Sequence, residues 1–209
     1  MSIVKLNNRG VRSASTFGSI SALGEMRFIK KLTASSSATL SFVDGTSDVV
    51  LDNTYKEYIF TLNNIHPATD GVNFTFNGSD DTSSHTYDIT KTTTAVRYYN
   101  DESDTTTLLG YSTGTDIAQG TGDQRLNHGS QLGNGNDENL VGYLHLFNPS
   151  DTTFVKHFMA QTNMNSFDNY SVGGLTAGYF NTTNAITAIQ FSMSSGNIDA
   201  GDICLYGIN

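Results

Sequence analysis

The strongest constraint on this chain is a set of short segments in which apolar and aromatic residues recur at every second position. In Tyr58-Ile59-Phe60-Thr61-Leu62, the side chains of Tyr58, Phe60 and Leu62 fall on one side. Val72, Phe74 and Phe76 repeat the pattern, with Asn73 and Thr75 between them. Leu40 and Phe42, His85, Tyr87 and Ile89, Ala95–Tyr99, Leu140–Phe147, Phe154–Met159, Ala185–Met193 and Ile203–Ile208 follow suit. Period-two alternation is what a strand with one buried face requires. No stretch sustains a 3.6-residue apolar period. About ten to twelve short strands at intervals of roughly 8–12 residues are expected of a sandwich or barrel. The fold class is therefore all-β, and the expected architecture is a jelly-roll-like antiparallel β-sandwich with an extended N-terminal arm. No internal repeat is present, which argues against a propeller or β-helix.

Composition supports this reading. Only 37% of the 209 residues are hydrophobic, yet only 15% are charged, so the balance is uncharged polar residues and 20 glycines. Ser, Thr and Asn compete with a helix backbone for hydrogen bonds and suit turns and solvated strand faces. Residues 1–24 read as an extended arm with a short helical turn near Ser19–Leu23. Residues 25–209 read as one sandwich domain. Asp44-Gly45 is a hairpin-type turn signal, with Val49–Leu51 expected as a short strand after it. Residues 100–139 are dense in Gly, Asp, Asn and Thr and are expected to form a long surface excursion with one short strand at Leu108–Tyr111. Loops of that length are uncommon in compact domains and often functional.

Charge divides the chain. The net charge is −9, yet Lys5, Arg9, Arg12, Arg27, Lys30 and Lys31 place six of the eleven basic residues in the first 31 positions. Such asymmetry predicts a basic docking arm that meets an acidic protein surface. A nucleic-acid partner is not expected, because the cations are sparse and the body is acidic. The N-terminus has no apolar signal-like region and no apolar run reaches the ~18 residues that span a bilayer. Synthesis in a cytoplasm and no membrane partner are the expectations. Cys204 is the only cysteine, so no internal disulfide forms, and it reads as a small buried hydrophobe in the last strand.

Recognisable catalytic patterns are missing: no G-x-S-x-G, no H-E-x-x-H, no G-x-x-x-x-G-K-[ST]. The expectation is a non-enzyme without a cofactor. Asp137 and Glu138 are weak candidates for Ca²⁺ ligands, although the segment lacks the EF-hand loop pattern. Asp80-Asp81 is a weaker case. His145 and His157 fall near each other if the Asn148–Asp151 turn joins an antiparallel hairpin, and both then point to one face. Two imidazoles so placed would bind a transition metal only with a third ligand. His66, His85 and His128 have no evident partner.

The opening Met1-Ser2-Ile3-Val4-Lys5-Leu6-Asn7-Asn8-Arg9-Gly10-Val11-Arg12 and the segment Phe28–Ser35 resemble the start of small virion-associated proteins of tailed bacteriophages, marine ones in particular. The closing Ile189–Gly201 with Leu205-Tyr206-Gly207-Ile208 is similar to the final hairpin of their jelly-roll domains. The resemblance implies a structural component on the virion surface, bound to other virion proteins and oligomeric, with a trimer expected. Two roles follow from it. One is a capsid decoration or cement protein whose basic arm docks on the shell. The other is a receptor- or carbohydrate-binding module of a tail or fibre, with the 100–139 loop and its tyrosines contacting a surface glycan.

Overall fold

The computed structural model describes residues 26–208. The expected arm at 1–24, its helical turn and Lys5, Arg9 and Arg12 lie outside the described residues. Every regular element among the described residues is a strand. In chain order they are β1 (Arg27–Thr33), β2 (Thr39–Val43), β3 (Glu57–Pro67), β4 (Phe74–Ser79), β5 (Lys91–Asp101) and β6 (Thr107–Tyr111). Then come β7 (Gln124–Arg125), β8 (Leu140–Phe147), β9 (Lys156–Asn165), β10 (Tyr170–Phe180), β11 (Ala188–Met193) and β12 (Ile198–Ile208).

The strands form two antiparallel sheets that pack face to face. The eight-stranded sheet runs β1-β12-β3-β8-β9-β10-β5-β6, and the four-stranded sheet runs β2-β11-β4-β7. The first four strands alternate between the sheets. β5–β6 and β9–β10 instead extend the larger one.

Alternation in the sequence becomes the core. Tyr58, Phe60 and Leu62 of β3 are buried, as are Leu40 and Phe42 of β2. Seven phenylalanines interlock across the two sheets. Phe191 stacks on Phe74 at 5.8 Å between ring centroids and meets Phe60 edge-on at 5.6 Å. Phe76 meets Phe158 at 5.1 Å and 90°. Phe42 and Phe180 complete the cluster. Offset and edge-to-face aromatic pairs add to the energy of area burial.

Four expectations change. Val49–Leu51 is not a strand; Val49 and Leu51 are buried, and Asp44 Oδ1 accepts the Leu51 N–H at 2.8 Å. A carboxylate there replaces a ladder partner. His85–Ile89 is irregular, although Ile89 reaches the core; the long strand begins at Lys91. The 100–139 region is a surface excursion only in part. The expected short strand at Leu108–Tyr111 is present as β6, but Leu126 and Leu132 are fully buried in the core and β7 joins the smaller sheet. Cys204 is half-buried rather than buried, because it lies on the outer side of β12 opposite Thr61.

Phe191 touches four other core rings, Phe42, Phe60, Phe74 and Phe76. Phe191→Ala is expected to lower stability by about 3–5 kcal/mol. Urea unfolding would show this as a fall in midpoint with an unchanged slope.

Candidate functional site

Strand register determines which side chains the eight-stranded sheet turns away from the core. On β8 these are Val141, Tyr143, His145 and Phe147; on β9 they are the odd-numbered positions from His157 to Asn165. β10 adds Ser171, Gly173, Leu175, Ala177 and Tyr179, and β5 adds Thr92, Thr94, Val96, Tyr98 and Asn100. Thr107, Leu109 and Tyr111 of β6 finish the face. No position on these five neighbouring strands holds Asp, Glu, Lys or Arg on this side. Large apolar groups stand in solvent there: Leu109 is 78% exposed, Met159 54% and Leu175 44%. An uncharged face of this breadth on a chain of net charge −9 is the most distinctive surface of the described residues.

Two local features shape it. Tyr98 is paired with Gly173 across the β5–β10 ladder, and its ring occupies the space above that glycine. A Cβ at 173 would lie 2.1 Å from the ring, so only glycine lets Tyr98 lie there. Farther along the same strands a shallow depression of about 460 Å³ opens, with Phe147, His157, Met159, Ala177 and Tyr179 among its lining residues.

His145 and His157 do share this face, as the hairpin register requires. They do not form a metal site. His145 lies against Phe147 at 4.0 Å between ring centroids, and its Nε2 is 2.9 Å from Glu57 Oε2. That contact lacks hydrogen-bond geometry, and the buried Nε2 has no hydrogen-bond partner among the described residues. His157 instead faces Tyr179 at 5.9 Å. No group of three or more His, Cys, Asp or Glu side chains converges among the described residues. Asp137 and Glu138 are not drawn together as ligands: Glu138 Oε2 accepts the Gly135 N–H at 2.6 Å, and Asp137 contributes its backbone carbonyl to Asn165. Asp81 accepts the Thr86 N–H within its own loop, whereas Asp80 Oδ2 accepts from Thr182 Oγ1 and Asn184 Nδ2 of the loop before β11 and ties the two loops together. Glu138 and Asp81 thus act as turn caps.

The expected arm residues divide. Arg27, Lys30 and Lys31 belong to β1, the outermost strand of the large sheet, rather than to a separate arm. Lys31 Nζ is 3.1 Å from Asp202 Oδ2 on the adjacent β12. Part of its charge is thus met within the chain.

Beneath the sheet lies a polar layer. Residues 112–120 continue along β5 beyond the end of β6; Thr93 donates to Ile117 O at 2.8 Å and Lys91 to Gly120 O at 2.9 Å. The chain then passes under the sheet. Gln124 is fully buried, accepting from Thr93 Oγ1 at 2.7 Å and donating to Thr115 O at 2.9 Å. Asn127 Oδ1 accepts the Phe74 N–H at 2.8 Å. His128 is held between the hydroxyls of Thr115 and Thr176 at 2.8 and 2.7 Å. Two buried lysines serve the same end. Lys91 Nζ donates to the carbonyls of Gly122 at 2.7 Å and Ile89 at 3.0 Å. Lys156 Nζ donates to Phe154 O at 3.0 Å. Burial pushes the Lys91 ammonium down to about 8, against the opposing pull of Asp123 and Asp88. Nothing in local sequence marked Gln124, Asn127 or His128, because Thr93, Phe74 and Thr176, which hold them, lie in distant segments.

No protein-family model, no curated protein and no solved structure matches the chain. No described helix is long and apolar enough to cross a membrane.

His128 carries a pH dependence. Burial, with the nearby charges of Arg125 and Arg97, lowers its imidazole from 6.5 to about 4. The unfolded state then holds one more proton than the folded state between those values, so stability falls as pH drops through that window. The loss is on the order of 3 kcal/mol in full. In His128→Gln this part of the acid sensitivity should disappear. Urea midpoints between pH 4 and 7 would check it; an undiminished slope in the variant would contradict the assignment.

Proposed function

We propose that the chain is a non-catalytic structural component of a virus particle, of the decoration or cement type, which self-associates through its uncharged sheet face. The sandwich is read as a jelly roll. β1, β12, β3 and β8 against β2, β11, β4 and β7 make eight antiparallel strands in two sheets, with β5–β6 and β9–β10 as inserted hairpins. The virion assignment rests on the sequence resemblance at the two ends.

The observation that carries the reading is the face itself. Interface cores are depleted in charge and enriched in aromatic residues and Met. Contact between two copies of an acidic chain brings like charges together wherever the surface is charged, and this face avoids that cost. Five strands at ~4.8 Å spacing and about eight residues at ~3.3 Å each give a flat footprint of roughly 600 Å², near the ~800 Å² per partner of a stable interface. The basic N-terminal residues would dock the oligomer on an acidic shell.

A second reading, as a carbohydrate-binding module, has one observation in its favour. Tyr98 lies over Gly173 beside the amides of Gln161 and Asn163, a ring-and-amide surface suited to a sugar. The proposed contact then moves from the 100–139 loop, whose inner part is buried, to the sheet.

Leu175→Glu puts a carboxylate at the centre of the face without touching the core. Sedimentation should show wild-type oligomers and a monomeric variant with unchanged melting temperature. A wild-type monomer at high concentration, or an oligomeric variant, would overturn self-association. Deletion of residues 1–24 should abolish binding to particles that carry the chain while the sandwich stays folded. Glycan-array binding that is lost in Tyr98→Ala, together with a monomeric wild type, would favour the second reading.

A further inference from the structure

We propose that Arg97 and Arg125 form a binding site for a small tetrahedral dianion, phosphate or sulfate, where the β5–β6 hairpin meets the 112–138 segment. A cavity of about 160 Å³ opens there, lined by the two arginines and the turn Ser112-Thr113-Gly114-Thr115. At ~30 Å³ per water this is room for about five waters, enough for one such anion and a few of its hydration partners.

The two guanidiniums are placed but not neutralised. Arg125 is oriented by its own chain: Nε donates to Asn127 O at 2.6 Å and one terminal nitrogen to Ser130 O at 2.5 Å. Arg97 passes over Gly129, where a Cβ would come within 3.0 Å of its Cδ. Gly129 also has φ +84°, so the position favours glycine on two counts. The Arg97 Nε is buried and has no hydrogen-bond partner among the described residues. Neither arginine has an ion pair among the described residues. The carboxylates on the surrounding segments are otherwise engaged: Asp116 accepts from Tyr111 OH at 2.9 Å, and Asp168 accepts from the Ser130 and Ser166 hydroxyls at 2.6 Å each.

Two like charges held together without a counter-charge are unfavourable, more so when partly desolvated. The Arg125 guanidinium is accordingly held below its ordinary value by burial and by Arg97. In an acidic chain with carboxylates to spare, leaving this pair unneutralised leaves a place for an external anion. Guanidinium forks match the spacing of tetrahedral oxyanions, and the hydroxyls of the turn supply further donors. Two positive charges favour a dianion over a carboxylate. Arg97 lies on the inner side of β5, and Tyr111 of the outer face also lines the cavity; the proposal does not rest on self-association.

The test is calorimetric titration of the full chain at neutral pH with sodium phosphate, sodium sulfate and sodium acetate, ionic strength being held constant with sodium chloride. Saturable binding of phosphate and sulfate is expected, with acetate weaker by about tenfold or more. Arg97→Gln should weaken phosphate and sulfate by about tenfold or more and Arg97→Lys by less. Arg97 holds no backbone carbonyl, so its substitution spares the packing that Arg125 maintains. Should Arg97→Gln fail to fold, the wild-type melting temperature decides: a saturable rise in phosphate and sulfate that chloride and acetate do not reproduce is expected. No saturable response to either dianion, equal affinity for acetate, or unchanged binding by a folded Arg97→Gln would overturn the proposal.

Discussion

The structure depends on how an irregular, polar segment is made fit to lie against a hydrophobic sheet. An eight-stranded sheet is wider than the four-stranded sheet that faces it, so the inner side of β9, β10 and β5 needs another cover. Residues 112–138 provide it with little regular ladder: the two residues of β7 and isolated backbone pairs such as Gly120 with Lys91 and Leu132 with Val72. A buried backbone without a ladder must find other partners or lose stability at each unpaired group. Here side chains supply many of those partners beside these few backbone pairs. Gln124, Asn127, Thr162 and the ammonium of Lys91 bond the carbonyls or N–H groups that strands would have satisfied. Leu126 and Leu132 add the apolar contribution from within the same segment.

That arrangement explains where the surfaces fall. Because the polar segment closes the inner side, the outer side of the same strands is left without a layer of the chain among the described residues. Its side chains, Val141, Tyr143, Met159, Leu175 and Leu109, are those of an interface and not of a solvated sheet. The same segment brings Arg125 under β5 beside Arg97, two cations that are far apart in sequence and that the turn at Ser112–Thr115 encloses. Each buried polar group in this layer is therefore tied to a surface: His128 sits between the turn and β10, and Lys91 anchors the chain where it leaves the sheet edge.

The strands were legible because their signal is local. Tyr58-Phe60-Leu62 and Phe74-Phe76 needed only their own alternation to be placed in the core. The hairpin of β8 and β9 was legible too, and so was the shared face of His145 and His157. The buried segment was not. Gly, Asp, Asn and Thr are the composition of an exposed loop, and only the distant partners Thr93, Phe74 and Thr176 turn Gln124, Asn127 and His128 into core residues. The His85–Ile89 segment erred in the other direction, since alternation without a neighbouring strand yields no strand. The uncharged face lay hidden as well, because it is the sum of the outward positions of five strands whose order no local pattern reveals.

Amide hydrogen exchange tests most directly whether residues 112–138 are a structural layer rather than a surface loop. The Leu126 N–H donates to Phe74 O and the Leu132 N–H to Val72 O, both at 2.8 Å. The account predicts that these two amides exchange as slowly as those in the centre of β9 and β10, opening only with global unfolding. Exchange of Leu126 and Leu132 at the fast rate of an exposed loop, while β9 and β10 remain protected, would contradict it.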